Sequence, residues 1–216
     1  MGNKIKGIIF DMDNTLLSSR IDFAAMKSDT YNYIVKLGLL PGDPEFLGMT
    51  TAGIIEKAAE SNKMTKALKD KIWSIPTKYE ILGMKDAPLE PGAEELLEEL
   101  HGKYRLAVVT NNSVKAAIRA FKRNNIYRYF DIIVGREMVD SLKPSADGFL
   151  YVLSRYKDIP PAEWLSVGDA WLDGKASMQA GIKFIAYNGD IEKMNSMGVY
   201  PYAEIGDIRE LKRFIG

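Results

Sequence analysis

Residues 4–17, KIKGIIFDMDNTLL, constrain this chain most, because an apolar run there ends abruptly in two acidic residues spaced i and i+2. Ile5, Ile8, Ile9 and Phe10 have the composition of a buried strand, which Gly7 interrupts little. Asp11 and Asp13 then stand at that strand's C-terminal end. In open α/β sheets ligands bind outside the carboxyl ends of the strands, so two acids at that edge need a partner. Taken alone, an Asp-x-Asp is also a common solvated turn.

Beyond Leu17 the strand pattern gives way to helical spacing over residues 21–83. Phe23, Met26, Thr30, Tyr33, Ile34 and Leu37 recur at intervals of three and four, and Gly38 suits a helix C-terminus. PGDP at residues 41–44 is a turn before a second helical pattern carrying Phe46, Ile54, Ile55, Ala58 and Ala59. A third runs over about 65–82 with Leu68, Ile72, Trp73, Tyr79 and Ile81, and Pro76 is expected to bend or break it. No strand pattern interrupts this block.

Pro88 and Pro91 mark the return, with Glu94 and Glu95 in the first turn of a helix. Strand patterns at 105–110, 131–134, 164–167 and 183–187 then alternate with helical ones at 113–124, 146–156 and 171–180. A last amphipathic helix fits 207–215. Such alternation implies a parallel sheet covered by helices. The expected fold class is α/β, a doubly wound, Rossmann-like parallel sheet over residues 1–17 and 88–216, with an α-helical domain inserted over 18–87.

At 216 residues, one domain with an insertion or two unequal domains is the natural expectation, and 46% apolar residues suffice for a core. Lys plus Arg and Asp plus Glu number 29 each, so no global field favours nucleic acid or an anionic membrane. The absence of cysteine excludes thiol nucleophiles, disulfides and zinc-thiolate centres. No apolar run approaches the roughly 18 residues of a membrane span, and the N-terminus lacks a signal-peptide pattern. A soluble, cytoplasmic protein is expected, monomeric or homodimeric.

Polar residues interrupt the apolar runs at corresponding places. The strand ending at Val109 is followed by Thr110, Asn111 and Asn112; the one ending at Val167 by Gly168 and Asp169; and SLKPS, residues 141–145, lies in a loop before a helix. In a parallel sheet all of these fall on the edge that carries Asp11 and Asp13. Each has an ordinary reading too: TNNS as a helix cap, KPS as a helix start, GDAWLD as a tight turn. All four together, in this order, make coincidence a poor account.

With these residues in place the chain resembles a haloacid dehalogenase superfamily hydrolase, of the branch that holds phosphoglycolate phosphatases and β-phosphoglucomutase-like proteins with a helical cap. The first motif, Asp-x-Asp-x-Thr, is Asp11-Met12-Asp13-Asn14-Thr15; the second is the strand VVT ending at Thr110; the third is Lys143-Pro144; the fourth is Gly168-Asp169 with Asp173 four residues on. The resemblance implies a core with strand order 5-4-1-2-3, and a cap domain between the first and second motifs. It also implies a phosphatase that acts on a small phosphorylated metabolite, such as phosphoglycolate or a sugar phosphate, through an aspartyl-phosphate. A phosphosugar mutase of the same superfamily, which shares all four motifs, is the alternative.

As the resemblance implies, Asp11 attacks phosphorus, and Asp13 is acid towards the leaving oxygen and base for the water that follows. Thr110 and the backbone N–H of Asn111 hold phosphate oxygens, and Lys143 neutralises nucleophile and phosphate. Uncatalysed phosphate monoester hydrolysis is so slow that enzymatic enhancements reach about 10²¹-fold, so charge stabilisation must be extensive. Asp11, Asp13, Asp169 and Asp173 sum to −4 if ionised and Lys143 returns +1. A phosphate near −2 would be repelled, at roughly 4 kcal/mol per pair about 4 Å apart in an effective dielectric near 20. A divalent cation is therefore expected, and oxygen-only ligands favour Mg²⁺. The implied ligands are side-chain oxygens of Asp11 and Asp169 and the backbone carbonyl of Asp13, with Asp173 orienting Lys143 or metal-bound water from behind.

Asn14 stands where the family often has Gly, and Asn tolerates the left-handed backbone region that a tight turn there requires. Arg20, close behind the first motif, is a candidate for a substrate carboxylate or second phosphate. His101, the only histidine, reads as a surface residue at a helix end, and Lys57 and Lys63 as solvated helix-face residues. A phospho-acceptor receiver domain shares the acids, the hydroxyl and the lysine, but not the long helical insertion or the GDxxxD element. A dehalogenase has no need of the acid at position 13, and a phosphonate-cleaving relative would lack it; a non-catalytic protein on this fold would be expected to have lost one of the acids.

Overall fold

The computed structural model describes residues 4–216. Contacts divide the chain into two compact units, one formed by Met1–Ser19 with Ala87–Gly216 and one by Arg20–Asp86.

The first unit is built on six parallel strands: β1 (Gly7–Phe10), β2 (Arg105–Val109), β3 (Ile132–Val134), β4 (Trp164–Gly168), β5 (Lys183–Tyr187) and β6 (Ala203–Ile205). Their spatial order is β3-β2-β1-β4-β5-β6. The central order is the one the family resemblance implies, and β6 adds an edge strand that the sequence pattern did not reveal. At three residues, with Glu204 exposed between its neighbours, β6 is too short to display an alternation. β1 lies at the centre, with Phe10 paired to Val108 on one side and Val167 on the other. This register brings the residues that follow β1, β2 and β4 to one edge.

Burial explains why β1 is apolar throughout. Successive side chains in a strand point to opposite faces, yet Ile8, Ile9 and Phe10 are all fully buried, so both faces of the sheet are covered. Helices α4 (Ala93–Leu100), α5 (Val114–Arg123), α6 (Asp147–Arg155), α7 (Trp171–Gln179) and α8 (Ile191–Ser196) supply that cover. Ile9, Ala107 and Val109 join Phe149 and Val152 of α6 and Ala176 of α7 in one cluster around Trp164. Gly7 has a packing reason: it pairs with Trp164 across the sheet, and a Cβ there would lie 2.3 Å from the indole. The tail forms a 3-10 helix over Ile208–Phe214, with Ile208 and Leu211 buried.

The second unit holds α1 (Phe23–Lys36), a 3-10 turn over Pro44–Gly48, α2 (Thr51–Ala59) and α3 (Lys66–Gly83). Asp22, Thr50 and Thr65 accept the first free N–H groups of these helices, from Ala25, Gly53 and Leu68. Its core gathers Tyr31, Ile34, Leu39, Ile54, Ile55, Ala58 and Ile72. The helix α3 runs uninterrupted through Pro76, contrary to the expected break. The ring removes the N–H that would reach Ile72, but Pro76 itself is buried and its neighbours stay helical. Among the described residues no helix is long and apolar enough to cross a membrane.

Candidate active site

Immediately after β1 the Asp11 N–H donates to the carbonyl of Val167 at 2.8 Å, so the nucleophile candidate is tied to the neighbouring strand β4. The chain then folds back on itself. Leu16 and Leu17 both donate to the Met12 carbonyl at 3.0 Å, and Asn14 donates to Leu17 at 2.7 Å. Asn14 takes φ +54, the left-handed conformation that its sequence position suggested. Met12, Leu16 and Leu17 are fully buried and anchor the turn, while Asp11 and Asp13 remain partly accessible at its mouth.

At the end of β2 the four residues TNNS divide their work. Ser113 alone caps α5, accepting the Ala116 N–H at 3.2 Å. Thr110 is buried, its N–H donating to Val134 at 3.0 Å and its hydroxyl accepting the Asn112 N–H at 3.2 Å. The Asn111 amide donates to the Lys143 carbonyl at 3.0 Å, and the Lys143 N–H donates to Asn111 Oδ1 at 2.9 Å. The Asn112 amide donates to Asp13 Oδ2.

Lys143 lies in the loop before α6, following which the Lys143–Pro144 peptide is cis. Its ammonium has three protons and three acceptors: Asp11 Oδ1 at 2.5 Å, Asp173 Oδ1 at 2.6 Å and the Val109 carbonyl at 2.9 Å. Asp173, in the first turn of α7, also accepts the Ala170 N–H on Oδ2 at 3.0 Å, so it starts its helix and holds the lysine at once. Gly168 makes room for this: a Cβ there would lie 2.6 Å from the Asp173 side chain.

Carboxylate oxygens of Asp11, Asp169 and Asp173 lie within 4.8 Å of one another. Burial pushes the Asp11 carboxyl well above the usual carboxylate range; Lys143 opposes this, and Asp173, Asp13 and Asp169 add to it. Burial and Asp173 push Asp169 up to about 7, against Lys143, a backbone hydrogen bond and the side chain of Asn14. Burial would lower Lys143, but Asp11 and Asp173 outweigh it and hold the ammonium firmly charged. Burial, with the neighbouring carboxylates adding to it, thus leaves Asp11 and Asp169 as raised acids. A hard divalent cation fits this all-oxygen donor set, and Asp11 and Asp169 offer it the more available oxygens, since both Asp173 oxygens are already engaged.

Thus Asp11, Asp13, Thr110, Asn111, Lys143, Asp169 and Asp173 all lie in the first unit at the C-terminal edge of its strands. Arg20 belongs to the second unit, where it lines a surface pocket with Asp22, Tyr79, Leu82, Gly83 and Asp86. His101 is exposed at the end of α4, its ring edge-on to Tyr129. Three residues of the site escaped the sequence reading in their present roles: Asn14 beside Asp169, Asn112 beside Asp13, and the buried Arg136. Arg136 donates through its backbone to the Asn112 carbonyl at 3.0 Å and through Nη1 to the Asn111 carbonyl at 3.3 Å. A charged residue after a strand carries no pattern that signals burial, so only its position could have suggested it.

The family model for haloacid dehalogenase-like hydrolases matches residues 8–187. A phosphoglycolate phosphatase of Chromobacterium violaceum is 26% identical over 94% of this chain and 96% of its own. Among solved structures, a haloacid dehalogenase-type hydrolase of Bacillus subtilis, determined bound to magnesium, is 22% identical with a TM-score of 0.64, over 99% of this chain and 100% of that one. A protein of Thermotoga maritima assigned as a β-phosphoglucomutase is 20% identical with a TM-score of 0.63, over 98% of each chain. The family match spans most of the chain, from the β1 strand that carries Asp11 to the end of β5, and the chain belongs to the haloacid dehalogenase-like hydrolase family.

Proposed function

We propose that this enzyme is a Mg²⁺-dependent phosphatase that hydrolyses a small phosphorylated metabolite through an aspartyl-phosphate on Asp11. The observation that carries this reading is the Lys143 ammonium held between Asp11 Oδ1 and Asp173 Oδ1, 2.5 and 2.6 Å away, and tied to the carbonyl of Val109 at the end of β2. The phosphoglycolate phosphatase relative supports phosphoglycolate as the first substrate to try, and the magnesium-bound neighbour supports the choice of cation.

In the first step an Asp11 carboxylate oxygen attacks phosphorus while the bond from phosphorus to the ester oxygen breaks. Asp13 gives its proton to the departing oxygen. In the second step Asp13 takes a proton from water, the water oxygen attacks phosphorus, and the bond to Asp11 breaks to release inorganic phosphate. Lys143 favours the ionised form of Asp11 against burial and fixes its direction, because its three protons are committed to Asp11, Asp173 and Val109. Thr110 and the N–H of Asn111 seat phosphate oxygens. Asp11 and Asp169, with the Asp13 carbonyl, would hold Mg²⁺, which when bound offsets the negative charge that phosphate brings to the site. The helical unit over Arg20–Asp86, inserted in the chain between the first and second motifs, is assigned as the cap domain.

A panel of phosphometabolites, phosphoglycolate and hexose phosphates included, assayed with and without Mg²⁺, tests this reading. Free phosphate is the expected product; an isomerised sugar phosphate would place the enzyme among the mutases. Asp11→Asn is expected to abolish turnover, and activity that survives the substitution overturns the nucleophile assignment.

A further inference from the structure

We propose that Asn112 is the positioning residue of the acid–base group, holding the direction of the Asp13 carboxyl by a hydrogen bond to Oδ2. The inference rests on the reading of Asp13 as the group that protonates the leaving oxygen. Asn112 is buried, and its amide nitrogen donates to Asp13 Oδ2 across a sequence separation of 99 residues.

The argument is one of donors and acceptors. An amide N–H only donates, so the oxygen it meets must accept. The terminal torsion of an aspartate is soft and two-fold, and a donor fixed on Oδ2 restrains it. A group that must deliver a proton during bond cleavage works best when pre-oriented.

Asn112 can impose this orientation because it is itself held. Its backbone N–H donates to the Thr110 hydroxyl at 3.2 Å, and its carbonyl accepts the Arg136 N–H at 3.0 Å. The Arg136 guanidinium, buried just after β3, reaches the carbonyl of Asn111 at 3.3 Å. The segment from Thr110 to Asn112 therefore ties the phosphate seat at Thr110 and Asn111 to the acid that Asn112 holds. Neighbouring Asn111 performs the parallel service for the Lys143 loop.

Leaving-group dependence separates this role from simple scaffolding. A p-nitrophenolate departs without a proton, whereas a phenolate gains much from one, so a misplaced acid penalises the poorer leaving group more. Wild type, Asn112→Ala, Asn112→Leu and Asp13→Asn are compared with Mg²⁺ on a graded series of aryl phosphates from p-nitrophenyl to phenyl phosphate. The readout is kcat/KM, which reports only steps up to release of the first product. Asn112→Leu keeps the side-chain volume without the donor, and circular dichroism establishes that each variant is folded. Both Asn112 variants are expected to lose less than about tenfold on p-nitrophenyl phosphate and about 100-fold or more on phenyl phosphate, in the same sense as Asp13→Asn. Equal losses across the series in the Asn112 variants, with a steep loss in Asp13→Asn, overturn the inference alone. A flat series in Asp13→Asn as well overturns the acid reading and the inference with it.

Discussion

Asn111 grips Lys143 by the main chain at both ends, its amide on the Lys143 carbonyl at 3.0 Å and its Oδ1 under the Lys143 N–H at 2.9 Å. The side chain of one strand-end residue thereby fixes the backbone of a loop 32 residues away, and with it the ammonium that bridges two carboxylates. Asn111→Ala is expected to reduce kcat about 10- to 100-fold, the usual cost of losing a group that orients a reacting one. KM for Mg²⁺ should change little. A loss confined to KM for the phosphorylated substrate would instead assign Asn111 to substrate contact alone.

Breaking the Lys143–Asp173 pair leaves a buried ammonium with one carboxylate and a helix start with an unmet N–H. Both side chains are about 95% buried, at 5% and 4% exposure, so solvent cannot take up the loss. Asp173→Ala should destabilise the folded protein by roughly 3–5 kcal/mol in urea titration. The Lys143→Met, Asp173→Ala double variant, compared with both single variants, should recover part of that loss while remaining inactive. Additive stabilities in that cycle would show that the two groups are not coupled.

Asp169 supplies a pH dependence whose sign is determined by its raised pKa. Burial pushes its carboxyl up to about 7 in the folded chain, above the usual carboxylate range, so the folded state binds this proton more tightly than the unfolded one. In the metal-free protein that stabilising contribution is complete below the unfolded value and is lost as pH rises through about 7. A divalent cation must displace the same proton. Its apparent affinity, measured by calorimetric titration of Mg²⁺, should therefore climb with pH up to about 7 and level off above, with proton release on the acid side. An affinity independent of pH across that range contradicts the assignment.

Gly168 is required by proximity. Gly168→Ala would drive a methyl to 2.6 Å from Asp173, whose position is set by Lys143 and by Ala170. A loss of about 1–3 kcal/mol in stability and a marked fall in activity are expected. Gly48→Ala is the control: nothing lies within 4 Å of a Cβ there, and a change within about 0.5 kcal/mol is expected. Equal effects of the two substitutions would remove Gly168 from the account.

Much of the fold was legible because its signals are local. A continuous apolar run marked β1 as a strand buried on both faces, and the switch to three- and four-residue spacing marked α1 to α3. The acids and hydroxyls at strand ends stood out because each interrupts an apolar run. What escaped had a physical reason in each case. β6 is shorter than one alternation, and α8 spans only six residues. Pro76 is a helix breaker by local chemistry, yet α3 continues because packing of its buried face outweighs one missing hydrogen bond.

The sequence by itself determined the strand-and-helix alternation, the family, and the set of residues gathered at one sheet edge, since these follow from side-chain period and from the order of motifs along the chain. Tertiary structure alone decided which atom meets which. Asp11 and Lys143 are 132 residues apart, Asp13 and Asn112 are 99, and Asp173 and Lys143 are 30, yet each pair meets within hydrogen-bonding distance. Hydrogen bonds depend on separations of tenths of an ångström and on angle, and that information exists only once the parallel register brings distant strand ends side by side.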